Sequence, residues 1–160
     1  MIYLGVDPGL QYAGFAISKK TGQKLELLDC GYLKMSQSSS VPERVQIFYD
    51  YFQVLIIKNQ IQVMALETPF LGKNAQNFLK LGYLRGILYL LAQQNKMQIL
   101  EFTPTQVKQA VTGYGGASKE QVARVVKQLF PKLQKIDLEK TDVTDALAVM
   151  LSGTFIKQLT

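Results

Sequence analysis

The feature that most narrows what this chain can fold into is the order of its hydrophobic patterns: three strand-like segments in succession, then helix and strand in alternation. Residues 2–7 place Ile2, Leu4 and Val6 on one side and Tyr3, Gly5 and Asp7 on the other. Asp7-Pro8-Gly9 then breaks the period, which predicts a strand ending at Asp7. Residues 12–18 and 24–34 predict two more strands, joined by Lys19-Lys20-Thr21-Gly22 as a hairpin turn. Three strands with short turns form an antiparallel meander.

The serine-rich run 35–40 is a loop, and Ser40-Val41-Pro42-Glu43 has the form of a capping box with proline at the first helical position. The helix it opens reaches about Asn59, with Val45, Phe48, Tyr49, Phe52, Leu55 and Ile56 on one face. Residues 63–67 form a short apolar strand, of the kind buried on both faces of a sheet, that stops at Glu67. A long helix over 74–94 carries Phe78, Leu79, Gly82, Gly86 and Leu90, and its glycines suit close approach by another backbone, within the chain or in a second copy. A fifth strand spans 97–102, a short helix starts at 103–106, a glycine-rich loop covers 113–116, and a helix from Ser118 stops at Pro131. The last helix runs from near Thr141 towards Phe155. With no repeat and no linker, the pattern predicts a single α/β domain over 1–160, a mixed five-stranded sheet of three antiparallel strands followed by parallel ones, flanked by helices.

The chain contains no histidine. That removes histidine-based nucleophile triads, histidine-ligated zinc and histidine as general base, and leaves any catalysis to carboxylates, hydroxyls, lysines or an oxygen-bound metal. The lone Cys30 has no internal disulfide partner, as expected in a reducing compartment. Asp7 interrupts the apolar N-terminus before it could serve as a signal core, and the apolar stretch at 83–92 contains Arg85 and falls short of the ~20 residues of a membrane span. A cytoplasmic protein with no membrane association is expected.

The net charge of +6 is unevenly distributed. Residues 1–70 hold six basic and six acidic side chains, whereas residues 71–160 hold twelve and six. A basic half suits phosphate neutralisation on a nucleic acid, and equally suits a solvated, soluble surface.

Four acids occupy positions that solvation explains poorly. Asp7 and Glu67 end apolar strands, where open α/β sheets place their sites. Asp142 and Asp145, three apart on a helix, share one face. Individually, Asp7 also reads as a turn former and Asp142 with Asp145 as first-turn acids that suit the helix dipole. Together, if the first and fourth strands are neighbours, they form a carboxylate cluster whose mutual repulsion calls for a divalent cation, and all-oxygen ligands select Mg²⁺ or Mn²⁺. Two such ions can activate water and stabilise the leaving oxygen in phosphodiester hydrolysis. An acidic, metal-filled cleft on a basic domain fits a nuclease.

The motifs resemble those of the bacterial RuvC Holliday junction resolvases over nearly the entire chain. The resemblance rests on Gly5-Val6-Asp7-Pro8-Gly9 followed by Gly14-Phe15-Ala16, and on Glu67-x-x-Phe70, Lys73-Asn74-Ala75 and Leu81-Gly82-x-x-Arg85-Gly86. It continues through Pro104-x-x-Val107-Lys108-x-x-Val111-x-Gly113, Lys119, and Asp142-x-x-Asp145-Ala146-Leu147-Ala148. It implies a ribonuclease H-like fold and Mg²⁺-dependent incision of four-way DNA junctions in recombination and repair. A homodimer working with the RuvA-RuvB branch-migration complex is also implied. By position it makes Asp7, Glu67, Asp142 and Asp145 catalytic metal ligands, and Phe70, Lys73, Asn74, Lys108 and Lys119 DNA contacts. Some relatives carry histidine where this chain has Asp142.

Independently of the resemblance, Phe70 follows Pro69 beside an acidic strand end, where an exposed aromatic can stack on an opened base; its other reading is a core anchor for the next helix. Lys119 lies in a first helical turn, where a cation opposes the dipole and points to an external anion. Arg85 reads as a structural or dimer anchor. Two rivals remain: a YqgF-type RuvC-like nuclease acting on ribosomal RNA, and a non-catalytic junction-binding module, which the complete acidic set disfavours.

Overall fold

The computed structural model describes residues 1–69, 72, 74–131, 133 and 141–155. Its elements follow the order β1 (Ile2–Asp7), β2 (Tyr12–Thr21), β3 (Lys24–Lys34), α1 (Val41–Asn59), β4 (Val63–Glu67), α2 (Ala75–Gln94), β5 (Gln98–Phe102), α3 (Pro104–Thr112), α4 (Lys119–Leu129) and α5 (Thr141–Phe155). The five strands form one sheet in the order β3-β2-β1-β4-β5. β1, β2 and β3 pair antiparallel, while β1, β4 and β5 run parallel, as the alternation of patterns predicted.

Strand alternation sorts the core into two layers. Leu4, Val6, Phe15, Ile17, Met64 and Leu66 face α1 and α2, where they pack with Phe48, Phe52, Ile56, Leu84, Leu88 and Leu91. The opposite face offers Tyr3, Ala16, Val63 and Ala65 to α3, α4 and α5. Its residues are mostly small, and α5 lies close against it. Burying both faces supplies the hydrophobic driving force and fixes strand register, because a one-residue slip would exchange the two sets.

Local signals set the helix starts. Ser40 accepts a hydrogen bond from the Glu43 amide, and Glu43 accepts one from the Ser40 amide, completing the predicted capping box. Thr103 with Gln106 and Ser118 with Gln121 repeat the arrangement at α3 and α4.

Two expectations change. β2 continues to Thr21, so Lys19 and Lys20 are strand residues paired with Glu26 and Leu25, and the hairpin turns at Gly22 with φ +60°. The half-buried Lys20 ammonium donates to the Thr154 carbonyl near the end of α5, a stabilising place for a cation. In α2, the buried residues are Leu84, Arg85, Leu88, Leu91 and Ala92, whereas Leu79, Tyr83 and Leu90 are exposed. A Cβ at Gly82 or Gly86 would meet nothing within 4 Å, so these glycines do not serve close packing against the described residues.

Candidate active site

Asp7 and Glu67 are the last residues of β1 and β4. The parallel register pairs Val6 with Leu66, which sets the two carboxylates beside one another at the strand ends. Both follow the alternation of the small-residue face, so both belong to the side covered by α5. Asp142 lies in the first turn of α5, with Asp145 one turn along.

Glycines bring that helix close enough. A Cβ at Gly5 would lie 2.4 Å from the Ala146 carbonyl oxygen, and one at Gly14 would lie 2.0 Å from that of Asp142. No other residue leaves room for the helix backbone at these positions, and Gly14 is the residue opposite Asp7 in the β1–β2 ladder. Both glycines belong to the first motif, yet their role depends on a helix some 130 residues away and was not read from the sequence.

Asp7, Glu67, Asp142 and Asp145 line a single cleft of about 400 Å³ together with Lys108 and Lys119. Pro104, Val107 and Val122 form part of its wall. The cleft is strongly acidic at its base. Burial first, then the charges of Asp145, Asp142 and Glu67, push the Asp7 carboxyl up to about 7, against a smaller lowering by Lys119. Glu67 is also raised, by burial and by Asp145, while Lys119, Lys108 and Arg85 pull it down.

The anion that Lys119 faces is internal. Its ammonium lies 3.3 Å from Asp145 Oδ2, and the Asp145 charge raises the Lys119 pKa. With the lysine side chain 76% exposed, this is a surface ion pair of about 0–1 kcal/mol, weak enough to be exchanged for a phosphate.

The donor chemistry fits a hard divalent ion: four carboxylates, no sulphur, no nitrogen, and a repulsion that a cation relieves. In the present arrangement, no three acidic or thiol groups among the described residues are gathered tightly enough to hold one.

Among the other expected contacts, Asn74 stands outside the cleft lining and caps α2, accepting from the Asn77 amide at 3.0 Å. Phe70 and Lys73 lie outside the described residues.

The family model described as crossover junction endodeoxyribonuclease RuvC matches residues 3–153. The chain belongs to the RuvC family. The RuvC of Natranaerobius thermophilus is 42% identical over 151 residues, covering 94% of this chain and 92% of its own. The RuvC of Chloroherpeton thalassium is 40% identical over 157 residues, covering 97% and 82%. Among solved structures, Thermus thermophilus RuvC in complex with Holliday junction substrate superposes with a TM-score of 0.87 at 28% identity, covering 97% of this chain and 93% of that one. The yeast mitochondrial Holliday junction resolvase, at 15% identity and a TM-score of 0.69, shares the fold. That fold is ribonuclease H-like, as the RuvC resemblance implied.

Proposed function

We propose that this chain is a Mg²⁺-dependent endonuclease that resolves four-way DNA junctions by symmetric paired nicks, with residues 1–160 acting as one nuclease domain. The observation that carries the reading is the convergence of four carboxylates and two lysines, from separate parts of the chain, in one cleft. RuvC relatives and the junction complex of the Thermus protein agree with it. The rival RNA and non-catalytic readings draw no support from them.

In this reading Asp7, Glu67, Asp142 and Asp145 hold two Mg²⁺ ions, for which Mn²⁺ can substitute. The ions supply Lewis-acid activation of water and neutralise charge on the phosphodiester. The protein contributes the base of the cleft: Asp7 and Glu67 stand on strand ends, and Gly5 and Gly14 let α5 bring its acids close to them. Lys108 and Lys119 draw the DNA backbone over the acids, and Phe70, Lys73 and Asn74 are further DNA contacts, as the family motifs imply. Setting aside the four acids, the chain has eighteen basic against eight acidic side chains, so outside the acidic cluster it is more basic than the net charge suggests.

A four-way junction is nearly two-fold symmetric, so paired nicks call for a two-fold dimer with one cleft per subunit. The exposed Leu79, Tyr83 and Leu90 of α2, beside open glycines 82 and 86, are our choice for its interface. Cooperation with the RuvA-RuvB branch-migration complex in the bacterial cytoplasm completes the reading. No helix among the described residues is long and apolar enough to cross a membrane.

The test compares a four-way junction, a linear duplex and structured RNA, with Mg²⁺ or with excess chelator. Cleavage confined to the junction and dependent on Mg²⁺ is expected. Preferential cutting of RNA, or no cutting with full junction binding, would replace this reading by one of its rivals.

A further inference from the structure

A buried arginine is costly unless every part of its charge is used, and Arg85 is only 7% exposed within the inner face of α2. Its Nη1 donates to the main-chain carbonyl of Glu67 at 2.5 Å. Its Nη2 donates to Glu101 on β5 and, at 3.1 Å, to the Tyr89 hydroxyl one turn further along α2. Tyr89 in turn donates to the same Glu101 oxygen at 2.6 Å, and the guanidinium carbon lies 5.7 Å from the centre of the Tyr89 ring. Glu101 and Tyr89 therefore fix the fork from behind while its other arm holds the strand end.

The strand end is secured from a second direction. Immediately after Glu67, the Thr68 amide donates to the Phe102 carbonyl at 2.7 Å, so the backbone around Glu67 is tied both to β5 and to α2. Arg85, Tyr89 and Glu67 also line a cavity of about 350 Å³ that includes Asp7, on the α2 side of the acidic cleft. For stability alone, an apolar pair would serve as well as a partly buried ion pair. The fork's orientation towards one carbonyl, that of the acid at the strand end, indicates a different use.

We propose that Arg85, oriented by Glu101 and Tyr89, is a positioning residue that fixes the main chain at Glu67 so that its carboxylate is presented to the metal. This rests on the reading of Glu67 as a metal ligand. In this role Arg85 acts through the Glu67 main chain rather than by touching substrate or ion. Its loss acts by letting the Glu67 strand end relax, and it weakens metal binding before DNA is present. Supporting groups of this kind typically alter metal affinity or activity by roughly 10–100-fold.

The test uses the full chain and Mn²⁺ alone as the probe, by calorimetric titration without DNA. Junction binding is followed separately in chelator, and folding is followed by thermal melting. Because Arg85→Met leaves Glu101 without its cationic partner, the informative variant is the double substitution R85M/E101M, which removes both partners, with Arg85→Lys as the variant that keeps the charge but not the fork. The double variant is expected to melt cooperatively, bind junction as the unsubstituted chain does and bind Mn²⁺ roughly 10–100-fold more weakly, with an intermediate loss for Arg85→Lys. Unchanged Mn²⁺ affinity in both variants would overturn the positioning role while leaving the metal site intact. Failure of the unsubstituted chain to bind Mn²⁺ would overturn the metal reading itself, and the role of Arg85 with it.

Discussion

Gly14 and Asp142 are in contact through the backbone: a methyl group on Gly14 would stand 2.0 Å from the Asp142 carbonyl oxygen. Gly14 is also the ladder partner of Asp7. One missing side chain thus determines how closely the acids of α5 approach the acid of β1.

Gly14→Ala forces α5 away from β2, with overpacking that costs about 1–3 kcal/mol of stability. The displaced α5 acids should also lower junction cleavage by ~10²-fold, the scale associated with a misplacement of about 1 Å at a reacting centre. Denaturant melts and single-turnover cleavage check the two effects. An active, fully stable variant would show that the helix has room to spare.

Asp7 sets a pH dependence on the metal-free protein. Its carboxyl is raised from 3.8 to about 7, so between these values the folded state binds more protons than the unfolded state, and stability falls as pH rises through that window. Below about pH 4 both states are protonated and the penalty vanishes. In chelator, Asp7→Asn should flatten this decline and raise the melting temperature at pH 8 by a few degrees, since about 1 kcal/mol corresponds to ~2–4 °C in a domain of this size. Parallel melting curves for the two proteins across pH 4–8 would contradict it.

In the proposed reading, Lys119 exchanges its weak internal partner, Asp145, for DNA phosphate. Lys119→Ala should lower the cleavage rate and reduce the slope of log affinity against log salt for junction binding by about one. Fluorescence anisotropy over a salt series measures the slope, and an unchanged slope assigns Lys119 to the solvated surface.

The outer face of α2 predicts oligomeric state. Leu79→Glu combined with Tyr83→Glu places charge on exposed apolar positions without touching Leu84, Leu88 or Leu91 in the core. Sedimentation should show a folded monomer in place of a dimer, and an unaltered dimer would move the interface elsewhere.

Much of this was readable from the chain because it is encoded locally. Alternation in residues 2–7, the capping box at Ser40 and the placement of Asp7 and Glu67 at strand ends depend on neighbours in sequence, and the structure reproduces them. The inner face of α2 was not legible, because Leu81, Leu84, Ile87, Leu88, Leu90 and Leu91 leave few polar positions to mark the outside. The partner of Lys119 lies 26 residues away, and periodicity does not reveal which charge a side chain meets. For Arg85, the sequence showed a charge in an apolar helix and nothing of the carbonyl it holds.

The most direct test of the central claim is single-turnover cleavage of a four-way junction across a Mg²⁺ titration, with the unsubstituted chain and Glu67→Gln side by side. The four-carboxylate account predicts cleavage that rises with Mg²⁺ and saturates in the first, and a loss of at least ~10²-fold in the second that junction binding does not share, as expected when a group acting in the transition state is removed. Undiminished cutting by Glu67→Gln, or cutting in excess chelator, would contradict it.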